Sequence, residues 1–476
     1  MNALSVITRC SMASAVLVSL AGCASTAPHY ERPTAPVTAS WPAGPSYKAD
    51  TAVQQASPAD ELSWREFFAE PRLQRLIELA LANNRDLRMA TLAIERSRAL
   101  YQIRGADLLP KIDASAAATL QRVPETLTSN GRAATTEQYS VGLGFTAYEL
   151  DLFGRVRSLK DQALQQYLST EYARRSAQIS LVSQVATAYF NLSADRERLR
   201  LAHDTLTNQQ EAYRLTKNRY EAGLASALAL NQAQTTVDAA RVETARLTTL
   251  AAQGENALAA VVGSPLSPEL LPETLSDSQT ALRVISPGIS SDVLLKRPDI
   301  LQAEAQLKGA TANIGAARAA FFPRITLISS VGFGSDDLAA LFRAGSFAWK
   351  FAPQITLPLF DGGSNQAGLN VSKVDRDIAV SHYEKTIQNA FRDVADALAQ
   401  RGTVGDQLAA QRSLADAAAE GHRLSMARYE NGIDSYLAVL DSQRVLYAAQ
   451  QNLIGVRLTQ LASQVNLYKA LGGGDR

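Results

Sequence analysis

Histidines, thiols and paired carboxylates are the residues here that could carry chemistry, and their spacing limits what they could do. The four histidines, His29, His203, His382 and His422, are scattered, with neither the close spacing of a metal site nor a catalytic partner pattern. Asp336-Asp337 falls in a polar stretch, where adjacent carboxylates read as solvated charges. No glycine-rich phosphate loop appears, so no enzyme activity, cofactor or metal is expected, and the energy for any transport must come from a partner.

One thiol has a context that specifies its chemistry. Arg9 is the one early charge, a short apolar stretch follows, and it ends in Leu20-Ala21-Gly22-Cys23. This resembles the bacterial lipobox, cleaved just before a cysteine that receives acyl chains. Residues 1–22 are therefore expected to be a signal peptide and Cys23 the lipidated residue; an ordinary signal peptide is the alternative. With Cys10 removed, no disulfide within one chain is possible. Ala24 stands where an aspartate would signal inner-membrane retention, which favours the outer membrane. Residues 23–58, rich in Pro, Ala, Thr and Ser, lack periodic apolar positions and read as an extended, lipid-anchored segment.

The elements that must position everything else come from a repeat. Arg219-Tyr220-Glu221-Ala222-Gly223 recurs as Arg428-Tyr429-Glu430-Asn431-Gly432, an offset of 209. Leu109-Pro110-Lys111-Ile112 returns as Phe322-Pro323-Arg324-Ile325, and Leu152-Phe153-Gly154 as Leu359-Phe360 before Gly362-Gly363. Three matches in one order mark a tandem duplication, 59–263 and 292–472, with 264–291 between them.

Each half holds long helices and two strands. Neither Gly nor Pro interrupts Arg155 to Ala222, whose apolar positions Val156, Leu159, Ala163 and Tyr167 step by three and four. At about 1.5 Å per residue, that helix would be roughly 100 Å long. Helices are expected at 155–222 and 226–262, and again at 365–430 and 435–471, with bends allowed at Gly402, Gly405 and Gly421. Strands are expected at 111–122, 138–153, 324–334 and 347–360, where apolar and small polar residues alternate. No window is apolar enough for a membrane helix, but each strand approaches the nine to eleven residues that cross hydrocarbon at a tilt. Alternation alone also suits the edge of a soluble sandwich. The aromatics near the strand ends and the leader favour the membrane.

Four strands cannot close a transmembrane barrel, and open edges in lipid would leave backbone groups without partners. Two copies would give eight strands around a plugged bore; three would give twelve around a lumen. The expected fold is an α+β membrane protein: a tandem-repeat protomer whose homotrimer closes a 12-stranded outer-membrane β-barrel continued by a long periplasmic α-helical barrel. Charge balance, 47 Lys+Arg against 46 Asp+Glu, gives no reason to expect nucleic acid.

Three segments bring a family into view. Ser63-Trp64-Arg65-Glu66-Phe67-Phe68, Tyr148-Glu149-Leu150-Asp151-Leu152-Phe153-Gly154-Arg155 and the run from Pro287 through Leu295-Lys296-Arg297-Pro298-Asp299-Ile300 resemble the lipoprotein branch of the TolC-like outer-membrane efflux factors, over essentially the whole mature chain. The resemblance implies a trimeric barrel with a small equatorial domain, to which Pro265–Ser291 and the segment after Asp60 contribute. It also implies a periplasmic adaptor (membrane fusion) protein, an inner-membrane pump of the resistance–nodulation–division type, and export of drugs or other toxic small molecules. It places Arg219, Tyr220, Gly223, Arg428, Tyr429 and Gly432 at the adaptor-facing tip, although a tight turn would explain the glycines alone. Leu437 and Asp441, four apart on one helix face, fall at the closed-state periplasmic gate, with Arg444 in its restraining network. A solvated helix charge is the alternative for Asp441. At the 209-residue offset Asp441 and Arg444 correspond to Gln232 and Thr235, so the halves differ where the gate is expected. The rival functions are an exit duct for protein secretion and a lipid-anchored periplasmic coiled-coil scaffold.

Overall fold

The computed structural model describes residues 26–48, 62–128, 131–275, 282–286 and 290–475. Cys23, Cys10 and the signal segment lie outside the described residues. In chain order the elements are α1 (Trp64–Phe67), α2 (Pro71–Asn83), α3 (Arg85–Ala106), β1 (Asp113–Val123), β2 (Ala134–Leu150), α4 (Arg155–Glu221), α5 (Ala227–Val262), α6 (Pro298–Ala319), β3 (Arg324–Ser335), β4 (Phe347–Thr356), α7 (Ser364–Glu430) and α8 (Tyr436–Ala470). No described helix is long and apolar enough to cross a membrane.

The chain divides into two compact units, one built from the residues up to Thr34, Ala93–Thr170 and Gln302–Tyr383, the other from Ala35–Leu92, Glu171–Leu301 and Glu384–Arg476. The first contains a four-stranded antiparallel sheet in the order β1-β2-β3-β4, so β1 and β4 each have a partner on one side only. Register sorts its side chains into two faces. Ala116, Val141, Phe333 and Phe347 oppose one another in sequence across the strands, as do Ala114, Leu143, Val331 and Trp349. The other face carries Ser115, Gly142, Gly332 and Ala348, and Gly144, Ser330 and Lys350. One face is thus apolar and aromatic, the other small and polar.

Three strand boundaries differ from the pattern-based expectation of 138–153 and 347–360. β2 begins at Ala134 because the polar run Thr135, Thr136 and Glu137 is held in register against Arg122, Gln121 and Leu120, pairings that alternation cannot reveal. It ends at Leu150 because Asp151 turns to cap α4, its carboxylate accepting the N–H of Val156 at 3.1 Å and of Arg157 at 2.8 Å. β4 stops at Thr356, the residue paired with Arg324 at the start of β3. There Asp361 caps α7, accepting from Gly363 at 2.9 Å and Asn365 at 2.7 Å. Helix α7 runs unbroken through Gly402, Gly405 and Gly421.

In the second unit, Ser63 and Glu66 form a reciprocal capping box that starts α1. That box sets Phe67 onto the ring of Tyr468, with centroids 4.0 Å apart and both residues buried. Arg297 makes a two-pronged pair with Asp299 and donates to the Ala470 carbonyl at the end of α8. With Asp151 capping α4 and Arg155 gripping Glu149, all three signature segments act as structural fasteners.

The N-terminal strap is pinned within each unit. In the first, Glu304 accepts from Tyr30 (3.1 Å), Arg32 (2.6 Å) and Lys308 (2.9 Å). Burial alone would raise the Glu304 carboxyl, but hydrogen bonds from Arg32 and Lys308 outweigh it and hold the group below the usual glutamate range. In the second, Trp41 stacks on Phe391 at 5.3 Å, and Ser291 donates to the carbonyls of Ala39 and Thr38.

Candidate functional site: two helix turns and the start of α8

Two reversals end the long helices, and they are built alike. Gly223 (φ 74°) and Gly432 (φ 72°) sit in the left-handed region, where a side chain would add about 1–2 kcal/mol of strain. At the first turn, the N–H of Leu224 donates to the Arg219 carbonyl at 2.7 Å, and that of Gly223 to Tyr220 at 2.9 Å. At the second, Ile433 donates to Arg428 at 2.9 Å and Gly432 to Tyr429 at 3.0 Å. Both close the same 6→1 and 5→2 pattern, which satisfies the last carbonyls of α4 and α7.

The side chains break this symmetry. Arg428 grips Asp434 through two bonds, 2.6 and 3.1 Å, and that contact holds the Asp434 carboxyl below the usual aspartate range. The first turn has Ala225 where Asp434 stands, so Arg219 has no such partner in its own turn. It stacks on Tyr429 instead, its guanidinium carbon 5.1 Å from the ring centroid. Tyr429 also touches Tyr436 at 5.2 Å, above a small core of Ala233, Tyr436 and Val439. Tyr220, the repeat-mate of Tyr429, is left exposed. Of the six expected tip residues, the structure brings Arg219 and Tyr429 together; Arg428 turns to Asp434, which sequence reasoning missed. A charge present in one half and absent from the other was the signal that could have found it.

The expected gate residues lie on the first turns of α8. Leu437 is exposed, and Arg444 reaches Asp441 at 3.2 Å with both side chains largely in solvent. Asp441 and Arg444 line one wall of a groove of about 520 Å³, with Leu440 and Tyr447 beside them and Gln209, Thr236 and Glu243 across from them. On the neighbouring turns His422 of α7 meets the Ser442 hydroxyl at 3.2 Å, and burial pushes its imidazole below the ordinary value. Among the described residues, no group of three His, Cys, Asp or Glu side chains could hold a metal ion.

Comparison with known proteins places this architecture. The family described as outer membrane efflux protein matches residues 76–264 and 289–473. The toluene efflux pump outer membrane protein TtgC of Pseudomonas putida is 49% identical over 98% of this chain and 96% of its own length. Outer membrane protein OprJ of Pseudomonas aeruginosa is 43% identical over 97% and 95%. Among solved structures, a membrane protein from Pseudomonas aeruginosa superposes with a TM-score of 0.89 at 42% identity, covering 94% of this chain and all of that one. The open state of the Neisseria gonorrhoeae MtrE outer membrane channel gives 0.84 at 37% identity, covering 95% and 98%.

Proposed function

The chain belongs to the outer membrane efflux protein family, as an outer-membrane channel of an efflux system, and on that premise we propose that it is the passive duct of a tripartite pump that expels antibiotics, organic solvents or other toxic small molecules. Its place is the cell outer membrane, reaching into the periplasm. The observation that carries the proposal is the two-faced sheet with unpaired outer edges on β1 and β4. An apolar face suits lipid, a small polar face suits a wet lumen, and unpaired edges in lipid demand further copies of the chain.

In this reading three copies join β4 to β1 and close twelve strands, a count wide enough for a lumen. The residues 59–263 and 292–472 act as two wall-building repeats and 264–291 as an equatorial linker. Cys23 carries the acyl anchor, and the strap docked from Thr26 onward begins three residues after it. The paired turns at Gly223 and Gly432 meet a periplasmic adaptor, through which an inner-membrane pump of the resistance–nodulation–division type supplies the energy. Leu437, Asp441 and Arg444 form the periplasmic constriction, since their face of α8 differs in charge from the matching face of α5.

The protein-secretion reading has no comparable support, because the named relatives are efflux components. A periplasmic scaffold leaves the sheet without a role. The test is purification of the native protein in mild detergent, with heat-labile migration as a trimer and conductance in a planar bilayer as the expected results. A monomer that conducts no ions would overturn the duct. Loss of the gene should sensitise cells to toluene-like solvents and antibiotics; unchanged sensitivity would overturn the substrate class.

A further inference from the structure

The loop joining β3 to β4 folds back onto the sheet. Leu338–Ala340 forms a single helical turn whose start is capped by Asp337, the carboxylate accepting the Ala339 N–H at 3.0 Å. The turn delivers Leu341 to a buried position, and Phe342 then leans back, its ring 5.5 Å from that of Phe333 in an edge-to-face contact. Phe333 in turn meets Phe347 at 6.1 Å. Phe333 and Phe347 are directly opposed in the β3–β4 register, on the face that carries Val331 and Trp349. The loop therefore lies along the apolar face.

Contact with Phe333 does not hide these side chains. Phe342 remains 71% exposed and Leu338 62%, close to the 73% of Trp349 on the strand face itself. Arg343 follows directly and is exposed, with no ion pair among the described residues. Large apolar groups of this kind lose about 25 cal/mol for each square ångström left in water. A neighbouring copy joined at the β4 edge is a poor cover for them, since β4 stands between that edge and Phe333. Lipid beside the sheet meets no such barrier, and its phosphates complement the free guanidinium of Arg343.

We propose that this loop is a membrane-contacting element of the channel: Leu338 and Phe342 enter the acyl chains of the outer leaflet, with Arg343 at the level of the lipid phosphates. The inference rests on the barrel reading and adds to it. The aromatic girdle of the outer rim is then made partly by a loop folded onto the barrel wall, rather than by strand residues alone. The loop holds the rim at a fixed depth.

The test uses the full-length protein in phosphatidylcholine–phosphatidylglycerol vesicles. A nitroxide is attached to Phe342→Cys and, separately, to Leu338→Cys, and power saturation compares access to oxygen with access to a water-soluble nickel chelate. Trp349→Cys reports the strand face and Ala133→Cys the other hairpin loop, while label-treated parent protein serves as the blank. Positions 342 and 338 should match position 349, with an oxygen-to-nickel ratio severalfold above that of position 133. Nickel-dominated access at 342 and 338, with oxygen still dominating at 349, would put the loop in water and overturn the proposal. Exclusion of both reagents at 342 and 338 would mean protein covers the loop, which overturns it equally. Nickel access at 349 as well would sink the barrel reading and the loop with it, so the two failures are distinguishable.

Discussion

Arg219 stacks on Tyr429, joining the last turn of α4 to the last turn of α7, and the contact has no counterpart across the repeat because Arg428 is occupied by Asp434. An exposed cation–π contact contributes about 0.5–1 kcal/mol, or roughly a two- to fivefold change in an equilibrium it restrains. Arg219→Ala and Tyr429→Leu should therefore each raise resting conductance in a planar bilayer by about that factor. Conductance equal to wild type in both variants would show that the contact does not hold the tip.

The Asp441–Arg444 pair lies in solvent within one chain, where such a pair contributes about 0–1 kcal/mol. Its loss should leave protomer stability nearly unchanged. Leu437→Ala, Asp441→Arg and Arg444→Ala should nonetheless raise resting conductance if, as proposed, these groups form the periplasmic constriction between copies. The gate assignment fails if conductance stays at the wild-type level in Leu437→Ala and Asp441→Arg alike.

Alanine at a helical glycine ordinarily stabilises by about 0.5–1 kcal/mol. Gly421 of α7 has open space where a Cβ would go, and Gly421→Ala should follow that rule in thermal unfolding. At Gly402 the Ser46 carbonyl already occupies the space, so Gly402→Ala should loosen the strap instead. Faster trypsin cleavage after Lys48 in Gly402→Ala, and not in Gly421→Ala, is the expected result; equal rates would show that the notch does not hold the strap.

Burial depresses the His422 imidazole below its ordinary 6.5. The unfolded chain then binds more protons than the folded one in that window, so stability falls as pH drops from about 6.5 through the lower folded value, and is retained above it. The groove around His422 also presents Asp204, Glu211, Arg214 and Glu430. His422→Gln should flatten the dependence between about pH 7 and 5, read as the thermal midpoint of the helical circular dichroism signal. A slope as steep as that of the parent would exclude His422 as its source.

The long helices, the four strands and both turns were legible because each rests on a local period: uninterrupted three–four steps from Val156, alternation around Val141, a glycine after each Arg-Tyr-Glu. What escaped notice depends on partners far along the chain. Composition marked the strap as extended, but nothing local shows Tyr30 and Arg32 reaching Glu304, or Trp41 reaching Phe391. The polar start of β2 exists only through its pairing with β1. At the two helix reversals, the repeat correctly predicted two turns built alike, yet the side-chain contact runs from one repeat to the other. Asp434 drew Arg428 aside and left Tyr429 to Arg219, an outcome that symmetry argues against.

The unpaired edges of β1 and β4 also have a genetic consequence. A wall shared among three chains has no spare edge on which to bypass a damaged one, so a defective copy spoils its sound neighbours. In a cell making equal amounts of sound and defective chains, only roughly one duct in eight would be built from sound chains alone. Variants that fold and pair but cannot open should thus be dominant, whereas variants too damaged to pair should be silent.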